Sequence, residues 1–231
     1  MPIIQDKEFG KITIRRSSNA TQVRIRVAPD GTLRASLPLY APIFLLKNLL
    51  KNSRDEIRKI LDQAKPEYKY ENGMQIGKSH TLIFQSSNNF TASVNRHGQQ
   101  IIVRACSIEQ LNDNVLARKI RDVIITALRI EAKSYLPRRL SFLANKHGFT
   151  YTKTRFSHAS GRWGSCTSTG TISLNIALMK LPFELIDYVI IHELSHTKQM
   201  NHSQVFWSVV AMADPNYKSH RQALKLQNPS I

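Results

Sequence analysis

His192-Glu193-Leu194-Ser195-His196 places two imidazoles four residues apart, with a carboxylate directly after the first. A helix turns about 100° per residue, so this spacing stacks both rings on one face, one turn apart, within reach of a single ion. His202 stands six residues beyond His196. Zinc takes neutral imidazole nitrogen in a tetrahedral shell, and a catalytic site reserves its fourth position for water. Three histidines leave that position open. Glu193, one residue round from His192, lies beside it, where a carboxylate can act as general base. The chemistry this pattern implies is hydrolysis assisted by one Zn2+ ion.

That geometry requires a helix. The run before the motif is apolar at Phe183, Ile186, Ile190 and Leu194, the repeat of a helix that buries one face. Continued to residue 202, such a helix would carry His202 about 240° away from His196. It must therefore end first. Asn201 suits the break, and Asn201-x-x-Gln204 has the form of a capping box, which would return His202 from the first turn of the next helix.

The three histidines with Glu193, the continuation Asn201-His202-Ser203 followed by Phe206-Trp207, and the upstream Arg162-Trp163-Gly164-Ser165-Cys166 together resemble the YgjP-like metallopeptidase family, related to the SprT-like and Wss1-like zincins. The resemblance runs through about residues 110 to 226 and extends to the strand-rich region before it. It implies that His192, His196 and His202 are zinc ligands and that Glu193 is the catalytic carboxylate. Gln199 stands where metzincins place a glycine, which sets the chain apart from that clan. Ile176, after Asn175, stands where an aromatic residue is expected.

The chain of 231 residues is 42% hydrophobic and 21% charged, which is ordinary for a globular protein and excludes a disordered one. Its net charge of +17 is spread over both halves, so it is not a basic tail. Such a charge attracts polyanions without saying which. Two cysteines, Cys106 and Cys166, are too few for a disulfide scaffold and fit a reducing compartment. The first residues carry Asp6 and Glu8 where a signal peptide needs a positive flank. No apolar run is long enough to span a bilayer. The expectation is a cytoplasmic enzyme.

The fold expected is α+β. Residues 1–110 read as a β-rich region with one helix, and residues 111–231 as a zincin-like helical domain with a short antiparallel sheet. Lys11–Arg15, Val23–Val27 and Thr32–Leu37 alternate as strands of an antiparallel sheet, with a turn at Pro29-Asp30-Gly31. Pro42 opens a single helix reaching Leu61. Asn72-Gly73 and His97-Gly98 turn the chain between further strands, including Thr81–Phe84 and Ile101–Arg104. A helix from Asn112 to Tyr135 follows, and Pro137 starts a second one ending at Gly148. Phe149–Phe156 and Thr171–Leu178 read as partner strands, and two helices, Ser203–Ala213 and Tyr217–Leu226, close the chain. No internal repeat is visible.

Other residues admit two readings. Arg162 and Trp163, in a turn, line a substrate cleft or plug the core. Thr171–Leu178 is the candidate strand edge for an extended peptide, and Asn175 a substrate contact, by analogy with zincins. Tyr217 and His220 are candidate oxyanion stabilisers, while Tyr188 reads as packing. Cys166 reads as a buried thiol before a fourth ligand. His80, His97, His147 and His158 read as solvated.

Residues 118–162 hold eleven Lys or Arg against Asp122 and Glu131. The default reading is a solvated helix face, and the alternative is a phosphate-binding surface. The leading expectation is a zinc peptidase acting on a peptide or protein. Its rivals are a metal-dependent UTP pyrophosphatase and a basic nucleic-acid-associated protein with a zinc site. The pyrophosphatase lacks support from any Gly-rich phosphate loop or acidic magnesium cluster.

Overall fold

The computed structural model describes residues 2–28, 31–63, 70–88 and 91–231. Pro29 and Asp30 of the expected turn lie outside them. The architecture is α+β, a β-rich N-terminal region followed by a helical one. The chain divides into two compact units, Met1–Tyr68 and Lys69–Ile231.

In the first unit, strands β1 (Ile3–Asp6), β2 (Gly10–Ser17), β3 (Arg24–Val27) and β4 (Leu33–Pro38) form one sheet in the order β1-β2-β4-β3. The sheet is mixed, not antiparallel as its short turns suggest, because β2 pairs with β4 in parallel, Ile12 opposite Leu33. Alternation decides which face is buried. Ile12, Ile14, Leu33, Ala35 and Leu37 point inward onto Leu46, Leu50 and Ile57. These last residues come from two helices, α1 (Ile43–Asn52) and α2 (Arg54–Gln63), where the apolar period suggested one; Ser53 ends the first.

The second unit opens with β5 (Gln75–Ile76), β6 (His80–Ser86), β7 (Ser93–His97) and β8 (Gln100–Ala105), in the order β5-β6-β8-β7. The order and the sense of every pairing repeat those of the first sheet, with Leu82 opposite Ile101 in parallel as Ile12 is opposite Leu33. The sequence shows no repeat because only the alternation, not the residue types, is shared.

Leu82, Ile101 and Val103 pack into the same core as the helices that follow. That is why the division falls at 68/69 and not near 110, where composition shifts.

Helix α3 (Asn114–His147) runs 34 residues unbroken, with Asp113 accepting from the backbone N–H of Val115 and Leu116 at its start. Pro137 lies inside it. A proline removes one helical hydrogen bond, but the buried stripe of Leu128, Ala132, Leu136, Leu140 and Leu143 continues across it and keeps both halves on one core. Gly148 ends the helix in the left-handed region, at φ 64°.

Next come β9 (Lys153–Ser157), β10 (Gly164–Cys166) and β11 (Thr171–Asn175), in the order β10-β11-β9. A 3-10 turn over Ile176–Lys180 leads into α4 (Phe183–Ser195), then α5 (Gln204–Ala213) and α6 (Tyr217–Lys225). Ile176, where an aromatic residue was expected, is fully buried in the core.

His80 departs from the expectation of a solvated histidine. It is only 3% exposed, and its Nδ1 lies 2.6 Å from Oε1 of Glu131 on α3. The same carboxylate accepts from the N–H of Lys78 (2.7 Å), the N–H of Ser79 (2.9 Å) and the Ser79 hydroxyl (2.7 Å). Gly77, at φ +62°, leaves room for it, since a Cβ there would collide with Glu131. Burial raises the pKa of Glu131, but the bonds from His80, Lys78 and Ser79 outweigh it and hold the group below its usual 4.5. Its ionised form thus stabilises the fold above that value, and the contribution is lost as pH falls through the lower folded value. Glu131→Gln should cost about 3 kcal/mol in urea unfolding near neutral pH, with the gap from wild type narrowing in acid.

Candidate metal centre

Helix α4 delivers the first two imidazoles. Its inner face buries Ile186, Val189, Ile190 and Leu194, which turns His192 and Glu193 toward α5, α6 and β10. The bidentate pair of Arg139 with Asp187 ties α4 to α3. The helix ends at Ser195, six residues before Asn201, and His196 is its C-cap. Backbone turns from Thr197 to Leu194 and from Gln199 to Ser195 close that end. Ser203, not Asn201, caps α5, accepting from the N–H of Phe206. His202 therefore sits just outside α5, not in its first turn, and is returned toward α4 by the loop.

The three rings converge. Ligand-capable atoms of His192, His196 and His202 all lie within 4.8 Å of one another, and Nε2 of His192 and Nε2 of His202 are 3.1 Å apart. Two nitrogens each about 2.0 to 2.1 Å from one tetrahedral ion would stand about 3.3 Å apart, so the pair fits a shared zinc. Among the described residues this is the one group of such side chains placed to hold a metal.

Phe206 is the floor of the cluster. It is fully buried, with its ring centroid 5.0 Å from His192, 4.5 Å from His196 and 4.7 Å from His202. The Nδ1 of His196 lies 3.2 Å from the carbonyl of Gln199, which can fix this ring with Nε2 as the coordinating atom. The Nδ1 of His192 is buried without a hydrogen-bond partner, so packing against Tyr188, Phe206 and Trp207 orients it. Burial, followed by the neighbouring charges of His196, His202 and Arg221, pushes His192 down to about 3. Its neutral form, the one a metal needs, is thereby favoured.

Glu193 is 6% exposed, and burial pushes its pKa up to about 8 against the opposing pull of Arg162. It lies against β10. A Cβ on Gly164 would stand 2.7 Å from both Cγ and Oε1 of Glu193, so only glycine lets the strand approach the carboxylate this closely. Nothing in the sequence alone singled out Gly164 within Arg162-Trp163-Gly164.

Asn175 is wholly buried. Its amide donates to the carbonyls of Ala159 (2.7 Å) and Arg162 (2.8 Å) and its oxygen accepts from the N–H of Ala177 (3.0 Å). It pins the loop that presents Arg162, and its polar atoms are committed to backbone. Trp163 is half-buried and packs on the core. Tyr217 stacks on Trp207 (5.5 Å), which stacks on His202 (5.8 Å), with the Arg221 guanidinium 4.5 Å from the Trp207 ring.

His220 is held through Nδ1 by Asp214 at 2.7 Å, and Tyr188 stands between the rings of His220 and His192, about 6 Å from each. Cys166 is half-buried, its Sγ donates to the Thr167 carbonyl, and it lies outside the three-histidine group. Burial, then the charge of Glu193, pushes its thiol up. The strand expected to offer its edge does not do so. β11 is the middle strand, paired with β9 and β10, and the edge beside Glu193 belongs to β10.

A family model described as the YgjP-like metallopeptidase domain matches residues 21–227. The chain belongs to the YgjP-like family. At family level it is a metal-dependent peptidase. Comparison with curated proteins gives no match for this YgjP-like chain. A solved structure, that of the metallopeptidase zymogen abylysin of Pyrococcus abyssi, is similar at 27% identity over 41% of this chain and 98% of that one, with a TM-score of 0.36. No helix among the described residues of the YgjP-like chain is long and apolar enough to cross a membrane.

Gly164→Ala forces Glu193 aside without touching an imidazole. Turnover should fall about 100-fold, the scale of a 1 Å misplacement, while bound metal measured by elemental analysis stays at the wild-type level.

Proposed function

We propose that the chain is a zinc peptidase in which His192, His196 and His202 hold one Zn2+ and Glu193 is the proton-transferring carboxylate. The observation that carries this reading is the convergence of three imidazoles within 4.8 Å beside the carboxylate of Glu193, buried against a strand edge. Zinc, when bound there, polarises a carbonyl and lowers the pKa of water to near 7. With zinc bound, its positive charge would offset the burial of Glu193 and keep the carboxylate ionised, so that Glu193 takes the proton released in the attack and hands it to the leaving amine. Its burial keeps bulk water from competing for that proton.

The substrate is a peptide in extended form. The free edge of β10, Gly164–Cys166, offers backbone groups to pair with it, directly beside Glu193. Arg162 and Trp163 flank that edge in sequence, so they line the same approach, and Asn175 serves it by holding their loop. His220, oriented by Asp214, is the candidate to stabilise the developing oxyanion, and Tyr217 supports Trp207 behind His202. Cys106 and Cys166, which form no disulfide with each other, suit a cytoplasmic setting.

The test compares wild type and Glu193→Gln on labelled casein and, in parallel, on UTP. Wild type should cleave casein, stop on chelation and resume when zinc is returned. Glu193→Gln should keep its zinc and lose at least about 100-fold in turnover. A fully active variant, or a wild type that hydrolyses UTP and spares casein, contradicts the proposal.

A further inference from the structure

The helices of the first unit cover one face of its sheet, and the strand registers define what the other face carries. Lys11, Arg15, Arg24, Arg26 and Arg34 share that open face, and all five are exposed. Arg26 pairs with Arg34, which pairs with Thr13; Arg24 pairs with Ser36, which pairs with Arg15. The register thus concentrates positive charge on one face of the sheet.

No outward position of the four strands is acidic. The acids on the other side are engaged elsewhere, Asp6 with Arg54 and Glu8 with Arg54 and Arg58 of α2.

The second sheet is an internal control. It has the same strand order and the same pairings, and its outward positions on β6, β7 and β8 carry Thr81, Ile83, Gln85, Ser93, Asn95, His97, Gln100, Ile102 and one arginine, Arg104. The fold therefore does not require a basic face. Something outside folding does.

We propose that the open face of the β1–β4 sheet binds the phosphodiester backbone of nucleic acid. A cleft of about 280 Å3 lies on it, lined by Arg15, Arg24, Arg26, Ser17, Thr21 and Ser36 among others. Guanidinium groups flanked by hydroxyls are a hydrogen-bonding set for phosphate oxygens. Arg24 and Arg26, two residues apart on a strand, point to the same face about 6.7 Å apart, so that both can reach one run of phosphates.

A membrane surface fits less well. Docking to lipid calls for apolar wedges among the bases, and here the apolar outward residues are Ile3 and Pro38 at the margins. The eleven basic residues between 118 and 162, considered first from the sequence, lie in the other unit and supply the comparison.

The full chain is titrated with a labelled DNA duplex of about 20 base pairs between about 50 and 200 mM salt, read by fluorescence anisotropy. Two triple variants are compared with wild type, R15S/R24S/R26S on the sheet and K119S/R129S/K133S on α3, each removing three charges. Each phosphate contact contributes about 0.9 to the slope of log affinity against log salt. The sheet variant should therefore lose about 2.7 from that slope, and the α3 variant less than about one.

Both should unfold at the wild-type temperature and cleave casein at the wild-type rate. Equal slopes for the two variants would overturn the proposal, as would no duplex binding by wild type at the lowest salt. Tighter binding of wild type to phosphatidylserine vesicles or to polyglutamate than to the duplex would assign the face to another partner and overturn it as well.

Discussion

The constraint on which the site depends is the crowding of three imidazoles onto one aromatic ring. Phe206 is fully buried and contacts all three rings, with His196 buried against it, His192 half-buried and His202 closing the cluster from the exposed side. Held 3.1 Å apart, Nε2 of His192 and Nε2 of His202 cannot both carry a proton at rest. A cation held between them is the occupant proposed for that gap. The same burial that disfavours a protonated His192 prepares it as a donor, and so the packing and the chemistry have one cause.

Glu193 depends on a different contact. Its carboxylate lies against the backbone of β10 because residue 164 has no side chain, and β10 is placed by its antiparallel pairing to β11. Asn175, at the end of β11, reaches back to hold the carbonyls of Ala159 and Arg162. One buried amide thus joins the loop, the edge strand and the entry to α4 through the 3-10 turn that follows it. The edge proposed for substrate and the carboxylate proposed for proton transfer are parts of one rigid seam.

The local period made α4 and its histidines legible, because apolar residues at 183, 186, 190 and 194 state both helix and face. Partners distant in sequence were not legible. His80 looks like any histidine near a turn until Glu131, 51 residues on, closes over it. β11 looks like an available strand until β9 and β10 take both of its sides. Pro137 reads as a helix start because the rule for proline is local, whereas the stripe that carries α3 through it is tertiary. The matching topology of the two four-stranded sheets is hidden for the same reason: alternation survives, residue types do not.

The central claim, that one ion is held by these three imidazoles, is tested most directly by X-ray absorption on the zinc-reconstituted chain. The account predicts three nitrogen neighbours of imidazole type at about 2.0 to 2.1 Å and one oxygen completing the shell. A sulfur neighbour at about 2.3 Å, which would bring in Cys166, or an imidazole count that does not fall when His202 is replaced by alanine, would contradict it.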